Sequence, residues 1–369
     1  MNSPLSRLLA TLAGTVACSV LLLACGGGGG NGSGGMAGQG YAATSLVSDA
    51  ASIYSSTHTD PNLVNGWGVA MNPAGFAWVA DEGTSKSSLY DGNGIQQSPL
   101  VSIPAGQAGP AMPTGIVDNG SATEFMIGAA GARAPALFIF AGLSGTIAGW
   151  SQAVDANNAL TMVDNAAAGS VYTGLALASQ GGAGFLYAAD FFNGRVDVFD
   201  ASFAPAAAAG GFTDPSLPAG YAPFGIQAIG DRIYVAYAIP DPVTHEKRGP
   251  GLGVLDVFDT SGTLIKQLVA AGGALDAPWG IAMAPANFGQ FSNALLAGNF
   301  GDGKINAFDA NTGTLLGTLA DGNGTPLAFD GLWGIAFGNG INGMPTNTLF
   351  YAAGPGNETH GVFGRIDVR

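Results

Sequence analysis

The sequence predicts an all-β fold, a six-bladed β-propeller, and three observations predict it. A short motif returns about every 50 residues: Trp67-Gly68-Val69, Thr114-Gly115-Ile116, Thr173-Gly174-Leu175, Phe224-Gly225-Ile226, Trp279-Gly280-Ile281 and Trp333-Gly334-Ile335. A period of that length carrying several short strands marks radially repeated sheets. Each copy is followed by further apolar strands bounded by Gly, Asn and Asp. The composition agrees, with 61 glycines among 369 residues, 47% hydrophobic and only 10% charged residues, which suits buried strands joined by tight turns. No long amphipathic helical pattern occurs.

Taken in chain order, residues 1–24 read as a targeting segment with Arg7 as its lone charge and an apolar run from Leu8 to Val20. Leu22-Leu23-Ala24-Cys25 resembles a bacterial lipobox. That resemblance implies cleavage before Cys25, lipidation of its thiol and a membrane anchor that does not span the bilayer. The apolar run is shorter than the ~20 residues a spanning helix needs. Residues 25–42 then form a Gly-rich tether, and 43–369 the propeller. Cys18 leaves with the leader and Cys25 is modified, so thiol chemistry in the folded domain is excluded.

The blades follow one grammar, clearest in the third. Leu175 to Leu177, Phe185 to Asp190 and Arg195 to Asp200 read as inner, second and third strands, and Asn193-Gly194 reads as a type I′ hairpin turn. The second strands of the other blades are read at Ala77 to Asp81, Ala136 to Phe140, Arg232 to Tyr237, Leu295 to Asn299 and Leu349 to Ala353. The leading glycine of each inner strand lets backbones approach one another near the crowded axis. After the third strand of the sixth blade the sequence ends at Arg369, so Ala43 to Ile53 is expected to supply the outer strand and close the ring.

Several longer segments resemble a bacterial conserved hypothetical family of exported propellers, within the NHL/SMP-30-like superfamily. They are Asp60 to Gly68, Tyr187 to Phe191, Gly211 to Phe224 and Gly298 to Gly303. The likeness spans roughly residues 43 to 365. Some members of that family carry an exosortase-type C-terminal sorting signal, which this chain replaces with a lipobox. The resemblance implies fold and export and supplies no reaction.

Propellers bind ligands where inner strands and their loops converge on the axis, so polar residues at strand ends are the first candidates. These are Asn65, Asp81, Asp190 and Asn299. Asp81, Asp190 and Asn299 end equivalent strands and resemble, by fold, the divalent-cation site of six-bladed lactonases, with calcium as the natural ion for oxygen ligands. Alternatively they cap turns by bonding to their own backbone. His58 and His360 fall in loops that ring closure brings together, with Glu358 or Asp60 as an orienting carboxylate. His245 lies in the most charged stretch, Asp241 to Arg248, which reads as an exposed loop. Asp91-x-Asn93, Asp309-x-Asn311 and Asp321-x-Asn323 lack the EF-hand glutamate and read as turns.

A net charge of −14 repels phosphate backbones, so nucleic acid is not an expected partner. No Gly-x-Ser-x-Gly elbow or His-Glu-x-x-His is present. The expectation is a monomeric, exported binding module, lipid-anchored in the bacterial cell envelope at the outer membrane, that takes an envelope protein or a small molecule. The alternative is a metal-dependent, lactonase-like hydrolase.

Overall fold

The computed structural model describes residues 40–369 apart from 130 and 244; the leader, Cys25 and the tether up to residue 39 lie outside the described residues. Six sheets, each with a four-stranded core order, follow one another along the chain. Their inner strands are Gly66–Met71, Pro113–Asp118, Tyr172–Gln180, Ala222–Ile229, Pro278–Met283 and Leu332–Phe337. Each pairs antiparallel with its second strand, so that inner strands begin, and second strands end, on one face of the ring. We call that face upper and the opposite one lower.

The ring closes as the strand count requires. Tyr41–Ser48 pairs antiparallel with Val362–Val368, from Tyr41↔Val368 to Ser48↔Val362, and so becomes the fourth strand of blade six. The described chain therefore begins at the lower rim, where the Tyr41 hydroxyl donates to the carbonyl of Phe288 in blade five's lower loop.

Packing follows the same sixfold logic. Six apolar clusters lie between consecutive blades, for example Trp78, Phe138 and Trp150 between blades one and two, and a seventh fills the axis. A lone blade would expose both of its faces to water, so each is stable only between neighbours. The close approach expected at the axis is present: a Cβ on Gly225 would lie 2.2 Å from the carbonyl oxygen of Trp279.

Three local readings differ from the structure. The second strand of blade two is Phe138–Gly142 rather than Ala136 to Phe140, because a hairpin of Met126–Ala129 and Ala132–Pro135 is inserted before it and Ala136 N–H donates to Phe125. Asn193-Gly194 is no two-residue turn. Phe191 to Gly194 form a four-residue loop in which only Gly194 has positive φ (66°), since the two phenylalanines leave the strand for the upper face. Asp241 to Arg248 is not a plain exposed loop: Ile239↔Lys247 and Asp241↔His245 pair in an extra hairpin, and Glu246 is only 1% exposed. The turn readings hold. Asp91, Asp309 and Asp321 each accept backbone N–H groups two to four residues on.

Candidate functional site: an aromatic cavity on the upper face

The residue before the glycine in each repeat builds the axis. Trp67, Phe224 and Trp333 meet there with Phe191 and Phe300, and Trp279 packs against them. Trp333 is fully buried and stacks between Trp67 at 3.7 Å and Phe300 at 3.9 Å. Its indole N–H donates to Asn65 Oδ1 at 2.9 Å. In blades two and three the same position holds threonine. Thr114 and Thr173 donate instead to carbonyls of the next blade, at 2.7 Å to Tyr172 and 2.8 Å to Phe224. A threonine fills far less space than an indole, so the plug is incomplete on that side.

The space left is a cavity of about 370 Å³ over blades one to four. Its apolar wall is Trp67, Phe191, Phe192, Phe224, Leu143 and Val171, and Glu82, His245 and Glu246 stand on its polar side. The indole N–H of Trp67 is buried with no acceptor among the described residues. An indole N–H left unpaired in the interior carries a desolvation cost. Phe192, 43% exposed, and Val243 at the tip of the blade-four hairpin, 85% exposed, extend the apolar surface outward.

The carboxyl groups form one network. Asn65 Nδ2 donates to Glu82 at 2.9 Å and to Glu358 at 3.4 Å, so both acids share one amide nitrogen. Arg248 pairs with Glu246 at 3.1 Å and Glu358 at 3.4 Å, and its guanidinium lies 4.1 Å over the Phe300 ring. Burial pushes the Glu246 carboxyl up to about 8, against the opposing pull of Arg248. Burial likewise raises Glu82 and Glu358, countered by the Asn65 hydrogen bond at Glu82 and by the charges of His245 and Arg248 at Glu358.

The sequence-predicted residues distribute unevenly around this network. Asn65 and Glu358 belong to it. Asp81, Asp190 and Asn299 do end equivalent strands, opposite the first residues of their inner strands. No hydrogen bond links one of them to another. Asp81 accepts from the Ser88 hydroxyl, Asp190 from Val171 N–H and Asn193 with Arg195 at 3.3 Å, and Asn299 donates to Ala274 and Asp302. Asp81 Oδ1 and Asn299 Oδ1 are buried without donors, yet with Asp190 spent on Arg195 the three do not fit one cation site. Among the described residues no group of three or more His, Cys, Asp or Glu is placed to hold a metal.

His360 Nδ1 lies 2.8 Å from Asp49 Oδ2, so its carboxylate partner is neither Glu358 nor Asp60. Asp60 instead accepts from Tyr90 and Gln96. His58 pairs beside Val47 on the outer edge of blade six and shares no hydrogen bond with His360. The reading by sequence missed Trp67, Glu82 and Glu246. The signal for them was the change from aromatic to threonine before Gly115 and Gly174, which marks where the axis opens.

A second opening of about 370 Å³ lies at the lower face, lined by aliphatic inner-strand residues such as Ile116, Ile281 and Ile335. Asp118 at its rim is pushed up to about 6 by burial. A waist of about 20 Å³ at Gly68, Gly115, Gly280 and Gly334 separates it from the plug.

These features define a six-bladed β-propeller with an aromatic cavity and a carboxyl cluster on one face. The chain belongs to the family of two proteins of Acanthamoeba polyphaga mimivirus. Uncharacterized protein L690 is 33% identical over 318 residues, 84% of this chain and 81% of that protein; Uncharacterized protein R648 is 31% identical over 316 residues, 84% and 76%. No family model matches. The soluble aldose sugar dehydrogenase of Escherichia coli, solved in its apo-form, is 13% identical and superposes with a TM-score of 0.50 over 89% of this chain and 100% of that one. At that identity the likeness concerns the fold.

Proposed function

We propose that this protein is a small-molecule-binding propeller of the cell envelope, and that the upper cavity is its binding site. The observation that carries the reading is the cavity where Thr173 interrupts the aromatic plug, walled by rings and bordered by carboxyls. A ligand-observed NMR screen of aromatic fragments tests it. Wild type is expected to yield hits that Thr173→Trp abolishes by filling the space; hits that survive that change would overturn the site.

The finer membership, among exported bacterial propellers, is supported by the motifs of residues 60–68 and 211–224 and by the lipobox at Cys25. The first described strand, Tyr41–Ser48, starts at the lower rim, on the face opposite the cavity. Metabolic labelling with an acyl probe is expected to mark wild type and to fail on Cys25→Ser; labelling of the variant sinks the anchor. A lactonase-like hydrolase using Asp81, Asp190 and Asn299 has less support, because no hydrogen bond links the three and Asp190 is paired with Arg195.

A further inference from the structure

We propose that the occupant of the upper cavity is an organic cation, an amine or quaternary ammonium on an apolar body, whose charge meets Glu82 and Glu246 while its body packs on Trp67, Phe191 and Phe224. The inference rests on the cavity being the binding site and adds the chemical class of what enters it.

Four observations carry it. The wall is aromatic, and ring faces attract cations through their negative quadrupole. The protein already uses that attraction next door, where Arg248 lies over Phe300. The charged groups around the cavity also favour a cation: Glu82, Glu246 and Glu358, with Asp241 nearby, outnumber Arg248 and an exposed His245. An anion would meet the two lining carboxyl groups, Glu82 and Glu246, and could displace neither their protons nor their charge to its own advantage. The net charge of −14 draws cations toward the surface in the same sense.

The raised carboxyls give the proposal a proton signature. In the empty site burial favours the protonated acids, most at Glu246, held to about 8. A ligand cation replaces that proton, so binding releases it and tightens as pH rises toward about 8. The groups facing Glu246 are Arg248, Glu358 and Asp241, and those facing Glu82 are Asn65, His245 and Glu358.

The test compares three probes with one body, 4-phenylbutylamine, 4-phenylbutanol and 4-phenylbutyrate, by isothermal titration calorimetry on the soluble protein. The amine is expected to bind about tenfold tighter than the alcohol, and the carboxylate weakest. Glu82→Gln and Glu246→Gln should erase the amine's advantage over the alcohol. Should the variants fail to fold, wild type alone decides: the amine's apparent enthalpy must differ between phosphate and Tris buffers, reporting proton release. Equal or better binding of the alcohol or carboxylate overturns the cation while leaving the cavity standing. Binding of none of the three overturns the cavity as well.

Discussion

Trp333 is the residue on which the axis depends. It fills the gap between Trp67 and Phe300 and spends its one polar hydrogen on Asn65, the residue that also holds Glu82 and Glu358. Trp333→Ala should cost about 3–5 kcal/mol of stability, measured by denaturant unfolding; a loss under 1 kcal/mol, where about three or more is expected, would show the plug to be dispensable. Asp256 shows a different residue-scale effect. It is fully buried in blade four, and neither carboxyl oxygen has full hydrogen-bond geometry, although the Tyr237 hydroxyl and the Asp214 carboxylate lie close enough to act on it. Burial first, then Asp214, pushes it up to about 8. An unfolded Asp ionises near about 4, so between these values the folded state holds the extra proton. Stability therefore falls as pH rises through that window, by up to about 1.4 kcal/mol per unit, and levels off above it. Asp256→Asn should flatten this slope in thermal unfolding followed from about pH 4 to about pH 9; an unchanged slope counts against the buried acid.

At the scale of the strand, the repeat's glycine separates two kinds of blade contact. A Cβ at Gly225 would meet the Trp279 carbonyl at 2.2 Å, a backbone atom that cannot swing away, while at Gly174 the nearest atoms lie at 3.2 Å. Gly225→Ala should therefore cost about 3 kcal/mol, and Gly174→Ala well under half of that. Equal losses by chemical denaturation would show that the glycines serve flexibility instead of close approach. The strand pattern itself was readable in the sequence, because alternation and turn residues are local properties. What escaped was the behaviour of strand ends. Phe191 looks like a strand running into an Asn-Gly turn, and Glu246 like one charge among several, until neighbouring blades supply the surfaces that bury them.

Across the whole ring, closure rests on Tyr41–Ser48, which pairs with the last strand and brings Tyr41, Leu46 and Val47 into the core. Removing residues 40–49 should leave blade six with a bare edge and open the seam to blade five. Such an edge is a template for pairing with other chains. Size-exclusion chromatography should then show oligomers, with a large drop in melting temperature; a monomer of unchanged stability would mean that the strand is decoration. The charge of the whole molecule also bears on the cavity, since added salt should weaken amine binding by screening the acidic field.

By itself the sequence determined the blade number, the position of the inner strands, the source of the closing strand and the acidic, thiol-free character of the ring. Each is encoded in a periodic or compositional pattern that a single repeat displays. Only the tertiary structure decided that Asp81, Asp190 and Asn299 stay in their own blades, that His360 turns to Asp49, and that Glu82, Glu246 and Glu358 gather beside the gap left by Thr173. Those groups lie up to 276 residues apart along the chain, from Glu82 to Glu358. Their meeting depends on the rotation that six packed blades impose about one axis, a quantity no local stretch of sequence carries.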